Sequence, residues 1–202
     1  EIGGWKRCPT DAEQAGGKEL SYNNSSGPNG GLALLREFSG GCAVIAVKHA
    51  NPCGVGVADN TKDAYLLAYE ADPVSVYGGI LACNREVDGL AAAEMVKTFL
   101  EVIVAPSYTE EALETLKTKK NLRILCLPDI HAPLVQTLEC RSVAGGLLLQ
   151  DMDLPLLGEE LHFPTRRKPT EKELENALLA WKIVKHSRSN GIAIAKDKQS
   201  LG

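Results

Sequence analysis

A lysine and a histidine stand side by side in the stretch KHANPCGVG, residues 48–56, where the apolar run CAVIAV gives out. An imidazole next to an ammonium is a plausible proton-transfer pair. The histidine titrates near neutrality, and the lysine can bind an anion or lower its neighbour's pKa by like-charge repulsion. The glycines and the proline that follow are expected to form a tight loop that lets the backbone approach a ligand. A strand-ending turn with a surface Lys and His fits the same residue types. A second such place is ADPVSVYGGI (71–80), where a polar Asp-Pro turn leads to Ser75, Tyr77 and the pair Gly78–Gly79. Amides around a glycine pair can cradle a phosphate, although such a pair is more often a bend or a bulge. In HSRSNGIAIA (186–195), Asn190 follows a helix and precedes a strand. It is either a helix C-cap or an amide presented to a substrate.

The zinc deaminase pattern, H-x-E followed by P-C-x-x-C, is only half met. Asn51 occupies the glutamate position, and no second cysteine follows Cys53 at the required offset. No metal is expected to take part in the chemistry. His131, His162 and His186 are far apart and read as structural or exposed. Neither G-x-x-x-x-G-K-S/T nor G-x-G-x-x-G occurs.

The elements that must hold these residues alternate regularly. Residues 42–48, 78–83, 101–105 and 122–127 read as buried strands, and 61–72, 89–100 and 109–120 as helices. That alternation predicts parallel strands with crossover helices, an α/β architecture, with Lys48 and His49 at a carboxyl end where ligands bind. Residues 141–150 read as one further strand whose glycine pair marks a bulge. Residues 151–170 are polar and proline-marked, a connector between lobes. A helix then starts at the Thr170 and Glu173 capping box, with Leu174, Leu178, Trp181 and Val184 on one face. Residues 191–197 read as the first strand of a new α/β unit. SSGPNGG (25–31) is the most disorder-like stretch.

The 202 residues suit one large domain, or one domain and part of another; 44% are hydrophobic and the net charge is −4, an ordinary soluble balance that gives no sign of nucleic-acid binding. No apolar run approaches the roughly 20 residues of a membrane helix. Six cysteines without a framework point to a reducing, cytoplasmic setting.

Taken together and in order, GKELSYNN (17–24), VKHANPCGVG (47–56), DPVSVYGGILACN (72–84), VIVAPSYTEEAL (102–113), KKNLRIL (119–125), residues 144–153 and 169–197 resemble one family. It is the AICAR transformylase domain of the bifunctional purine-biosynthesis enzyme that also carries IMP cyclohydrolase. The resemblance covers the chain from Gly17 onward, and the Lys-His-x-Asn-Pro-Cys-Gly run is highly specific.

The resemblance implies a cytidine-deaminase-like α/β/α layered fold without zinc. Residues 1–163 would form a complete first lobe, and 164–202 a connector and the start of a second. It implies a phosphoribosylaminoimidazolecarboxamide formyltransferase, working as a homodimer, that moves a formyl group from N10-formyltetrahydrofolate to the 5-amino group of the nucleotide AICAR. The family's catalytic residues map onto Lys48, His49 and Asn190, and its substrate contacts onto Asn24, Gly78, Glu101 and Lys120. The alternative is a non-catalytic nucleotide-binding or scaffold fragment of that fold.

Three departures stand out. The family's R-Y-G-x-N-P-H-Q segment is not found before Glu1. The G-A-G-Q-x-S-R stretch and the folate-contacting residues of the second lobe are not found either, so the chain reads as truncated. SSGPNGG stands where the family begins a helix, and it is expected to unsettle that helix start and the Asn24 contact.

Overall fold

A computed structural model describes residues 12–19, 22–132, 138–157 and 160–202, with the backbone alone over 22–27. In chain order the elements are β1 (Glu13–Gly16), α1 (Tyr22–Leu35), β2 (Cys42–Lys48), β3 (Asn51–Ala58), α2 (Thr61–Ala71), α3 (Pro73–Val76), β4 (Gly79–Cys83) and α4 (Gly89–Met95). Then come β5 (Leu100–Ala105), α5 (Glu110–Lys117), β6 (Arg123–Cys126), β7 (Leu138–Val143), β8 (Gly146–Asp151), α6 (Glu171–Lys185), β9 (Ala195–Lys196) and β10 (Gln199–Ser200).

The protein is α/β. Its eight-stranded sheet has the order β1-β6-β5-β4-β2-β3-β10-β9. Within it, β4, β5 and β6 run parallel to one another. β2 is antiparallel to both β3 and β4, and β1 is antiparallel to β6. The expected parallel strands with crossover helices are present at β4, β5 and β6, and the expectation is corrected for the other strands, which make the sheet mixed. The buried runs that the sequence shows are compatible with either direction, and only the connection settles it. β2 reaches β3 through a two-residue turn, which closes a hairpin and cannot make a crossover.

Strand alternation sends side chains to two cores. Val44, Ala46, Leu81 and Ile103 meet Ala64, Tyr65 and Ala68 of α2, Met95 of α4 and Leu116 of α5. Ala43, Ile45, Val47, Ala82 and Val102 meet Leu32, Leu34 and Leu35 of α1, Phe38, and Leu179 and Ile183 of α6. Helices thus cover both faces of the central strands. The core face of α6 is carried by Leu179 and Ile183, one turn apart, while Trp181 is 50% exposed.

Helix starts follow local chemistry. The Asn60, Asp72, Asp88, Thr109 and Thr170 side chains each accept an amide of the first turn. The predicted box at Thr170 and Glu173 is present, and Arg167 reinforces it with two bonds to the Glu173 carboxylate. α5 has Glu110 and Glu111 at its start and Lys117 at its end, matching the macrodipole.

Three further expectations are corrected. The disorder-like stretch 25–31 lies inside α1, with Pro28 in the helix. Tertiary packing overrides propensity here. A Cβ on Gly31 would lie 3.2 Å from both Ala82 and Val47, so the glycine lets α1 rest close on the sheet. Residues 141–150 hold parts of two strands, joined in the hairpin β7–β8. Val143 pairs with Gly146 and the chain turns at Gly145, whose φ is 83°. This ribbon forms its own two-stranded sheet, and its Leu147, Leu148 and Leu149 are all exposed. Finally, 191–197 contains only the short strand β9. It hairpins to β10, which joins the main sheet beside β3.

Asn84 ties the ends of three elements together. It is fully buried, its Oδ1 accepts the Ala43 amide at 2.7 Å, and its Nδ2 faces the Phe38 and Gly41 carbonyls at 3.3 Å. Asn84→Ala is expected to cost about 2–4 kcal/mol, because it strands buried backbone groups as well as losing bonds. Urea denaturation measures it, and a loss below about 0.5 kcal/mol would refute the role.

No helix among the described residues is long and apolar enough to cross a membrane.

Candidate functional site

The Lys-His pair sits on the β2–β3 hairpin. Lys48 pairs with Asn51, so His49 and Ala50 alone make the turn. Their φ angles are 52° and 61°. Two consecutive left-handed residues are what a type I′ turn demands, and Asn-Gly would satisfy it with least strain. A histidine followed by an alanine costs roughly 1–2 kcal/mol per residue against that ideal. Strain of this kind clusters at functional sites.

The tight loop expected over 48–56 is thus only two residues long. Asn51–Ala58 is a strand, and its glycines serve packing. A Cβ on Gly54 would fall 2.0 Å from the Ala68 carbonyl oxygen, and one on Gly56 2.1 Å from that of Ala64. Both glycines allow α2 to lie directly on β3.

Because β2 is antiparallel to β4, its carboxyl end meets the amino ends of β4, β5 and β6. Val47 pairs with Ile80, and the Lys48 ammonium donates to the Tyr77 carbonyl at 2.7 Å. One of its three N–H groups is thereby used and two remain. Gly78, at φ 71°, turns the chain from α3 into β4. Its amide donates to the Phe99 carbonyl at 2.7 Å, so that amide is engaged by the fold and does not serve as a phosphate cradle. The Tyr77 and Phe99 rings pack 5.4 Å apart. They open a cavity of about 480 Å3 lined also by Lys97, Lys119, Lys120 and Asn121. Lys48, Gly78 and Lys120 therefore share one end of the sheet.

Glu101 lies at the same end, half-buried on β5. Gly79 pairs with Leu100 and Ile80 with Val102, so the register skips Glu101. The β2–β3 register likewise skips Cys53, between Ala46–Gly54 and Val47–Pro52. Bulges of this kind re-aim side chains. Burial first, and then Asp72, push the Cys53 thiol up to about 11, which makes it a poor nucleophile.

Asn190 stands in an exposed segment after α6. It is not the helix cap, since His186 fills that place. The segment is bound to the hairpin, because the Arg188 amide donates to Asn51 Oδ1 at 3.0 Å. Asn24 belongs to α1, and its side chain lies outside the described residues. A Cβ on Gly30 would be 3.6 Å from the Ala50 carbonyl oxygen, so α1 passes this turn at Gly30.

Sequence reasoning missed what holds α6. Glu37 follows α1, and its Oε1 accepts the Lys185 ammonium at 2.8 Å and lies 3.1 Å from His186 Nε2. Its carbonyl accepts from Lys182 at 2.7 Å, and that ammonium stands 4.8 Å above the Phe38 ring. Burial alone would raise the Glu37 carboxyl, but hydrogen bonds from Lys185 and His186 outweigh it and hold the group below its ordinary value. Burial pushes the His186 imidazole down despite the pull of Glu37. Basic residues late in α6 were the available signal, but no pattern names their partner 145 or more positions earlier.

A larger cavity, about 710 Å3, lies between α6 and β3 and includes none of the candidate residues. No group of three or more His, Cys, Asp or Glu among the described residues is placed to hold a metal ion.

The family model described as AICARFT/IMPCHase bienzyme matches residues 4–202. The chain belongs to this family. It is the family expected from the Lys-His-x-Asn-Pro-Cys-Gly run and its companions. Among curated relatives, the "Bifunctional purine biosynthesis protein PurH" of Acetivibrio thermocellus is 51% identical over 204 residues, covering 100% of this chain and 40% of the relative. The proteins of the same name from Bacillus cytotoxicus and Bacillus cereus are each 50% identical over 192 residues, covering 95% of this chain and 37% of the relative. The chain thus spans about two fifths of the length of these bienzyme relatives.

Proposed function

We propose that the chain is part of a purine-biosynthesis enzyme that transfers a formyl group from N10-formyltetrahydrofolate to the 5-amino group of AICAR. The observation that carries the reading is the bond from Lys48 to the Tyr77 carbonyl. It sets the strained His49 turn beside Gly78 and the cavity that Lys120 lines.

The amine is a poor nucleophile, since it sits on an imidazole that bears a carboxamide. His49 takes the proton released as the amine attacks the formyl carbon, and returns it to N10 of the folate as the bond from the formyl carbon to N10 breaks and tetrahydrofolate leaves. Lys48 uses a remaining N–H to stabilise the oxyanion of the tetrahedral intermediate, a contribution of about 2.7–4 kcal/mol for a well-placed donor. Asn190 and Asn24 hold the carboxamide and align the amine, which is worth several kcal/mol as oriented attack. Gly78, Glu101 and Lys120 contact the nucleotide, with Lys120 suited to its phosphate. The cytidine-deaminase-like lobe at 1–163, the second lobe begun at 164–202 and the homodimer belong to the same proposal, supported by the family relationship.

The test joins two measurements. Calorimetric titration of AICAR into this chain is expected to give measurable binding. A full-length protein containing the chain is expected to transfer formyl from the folate donor. No transfer by the full-length protein overturns the reading. Transfer without any contribution of Lys48 and His49 overturns the mechanism.

A further inference from the structure

We propose that Glu37 and Asn51 are positioning residues that hold the Arg188–Asn190 segment against the Lys48–His49 turn. Its catalytic consequence rests on the proposed function, while the hydrogen bonds that hold the segment do not.

The last turn of α6 is anchored at several points. Lys182 donates to the Glu37 carbonyl, and Lys185 and His186 both reach the Glu37 carboxylate. Lys185 also donates to the Leu154 carbonyl at 2.9 Å. This is no loose surface pair, since the Lys185 side chain is 8% exposed and that of Glu37 16%. A half-buried carboxylate that takes an ammonium and an imidazole nitrogen fixes direction as well as distance, and losing it leaves Lys185 buried without its counter-charge.

The chain leaves this anchor at His186 and meets a second one two residues later. There the Arg188 amide donates to Asn51 Oδ1. Between them Ser187 Oγ donates back to the Ile183 carbonyl at 3.0 Å. Beyond Asn190, a Cβ on Gly191 would stand 3.0 Å from Ser187 Cβ and 3.3 Å from Val184 Cγ2, so the segment folds back on the helix end. Asn51 is also the residue that pairs with Lys48 across the two-residue turn. One side chain therefore joins the strand pair that carries the proposed base to the segment that carries the proposed amide. Glu37 sets where that segment leaves the helix. In this proposal both residues act through Asn190 and not on the reacting atoms.

The test uses a full-length protein containing this chain, with Asn51→Leu, Asn51→Asp and Glu37→Gln. Asn51→Leu removes the acceptor for the Arg188 amide, and Asn51→Asp keeps one. In Asn51→Leu, kcat for formyl transfer is expected to fall by up to about 100-fold, the scale of a misplacement near 1 Å. Hydrogen exchange of the 187–191 amides is expected to quicken at least about tenfold, while that of β2 and β4 is unchanged. Asn51→Asp is expected to restore both to within about threefold, and Glu37→Gln to give an intermediate loosening of the same amides. Unchanged exchange at 187–191 in Asn51→Leu overturns the positioning role. So does an activity loss that Asn51→Asp fails to rescue, or a loosened segment with full kcat. If the unaltered protein transfers no formyl group, the functional reading fails, while the exchange measurements still decide the positioning.

Discussion

Rebuilding the turn as His49→Asn with Ala50→Gly is expected to make the protein more stable by about 1–3 kcal/mol, the strain of two left-handed residues less the entropy cost of a new glycine, and to abolish most formyl transfer. The two effects separate the turn from the chemistry. At φ 52° and 61° both residues sit where Asn and Gly are at ease and where His and Ala are not. If the pair only closed a hairpin, nothing would oppose the relaxed sequence. As the proposed general base, His49 contributes about 10²–10⁴ in rate, and the double variant loses it. Lys48→Ala is expected to cost about 10²–10³ through the oxyanion, and it also releases the Tyr77 carbonyl. Rates are read in a full-length protein containing this chain, and stability from thermal midpoints. A rebuilt turn that gains stability and keeps near-normal turnover would return the pair to the role of a bend.

Much of this arrangement was legible in the sequence, and the losses have physical causes. Buried strands betray themselves by unbroken β-branched runs, as at 42–48, and helix starts by caps such as Thr170 with Glu173. Strand direction has no such signature, so the antiparallel course of β2 was missed. With it went the fact that the Lys48 end faces the amino ends of the parallel strands. NPCGVGVA conceals a strand because Gly54 and Gly56 lower β-propensity, yet their missing side chains are what α2 requires. SSGPNGG conceals part of a helix because its stability comes from what lies downstream, where Leu32, Leu34 and Leu35 bury against the sheet. At the site, Lys48, Gly78 and Lys120 came from the family's motif order, and the fold gathers them at one end of the sheet. Glu37 and Asn51 could not be read the same way. Each works through a contact made over more than a hundred residues, and Asn51 entered the sequence reading as the wrong residue for a zinc deaminase and as a member of the family's run, with no role of its own.

Gly56→Val is expected to abolish folding, and Gly56→Ala to cost about 3–5 kcal/mol, a large share of the 5–15 kcal/mol that holds a typical domain together. The added carbon would meet the Ala64 oxygen at 2.1 Å, the Ala68 nitrogen at 2.7 Å and Leu67 Cβ at 2.7 Å. Two of these are helix backbone, so no side-chain rotation relieves the clash and α2 must lift from β3. That movement would not stay local. β3 carries Asn51 at its start and pairs with β10 near its end, while α2 supplies Ala64, Tyr65 and Ala68 to the core beneath the central strands. Gly40→Ala is the control, since nothing lies within 4 Å of its Cβ, and it is expected to shift stability by less than about 0.5 kcal/mol. Denaturant midpoints for the two alanine variants measure the difference. Equal midpoints would mean that α2 can slide without penalty. In that case β3 could not serve as the rigid rail that holds the His49 turn in register with Gly78.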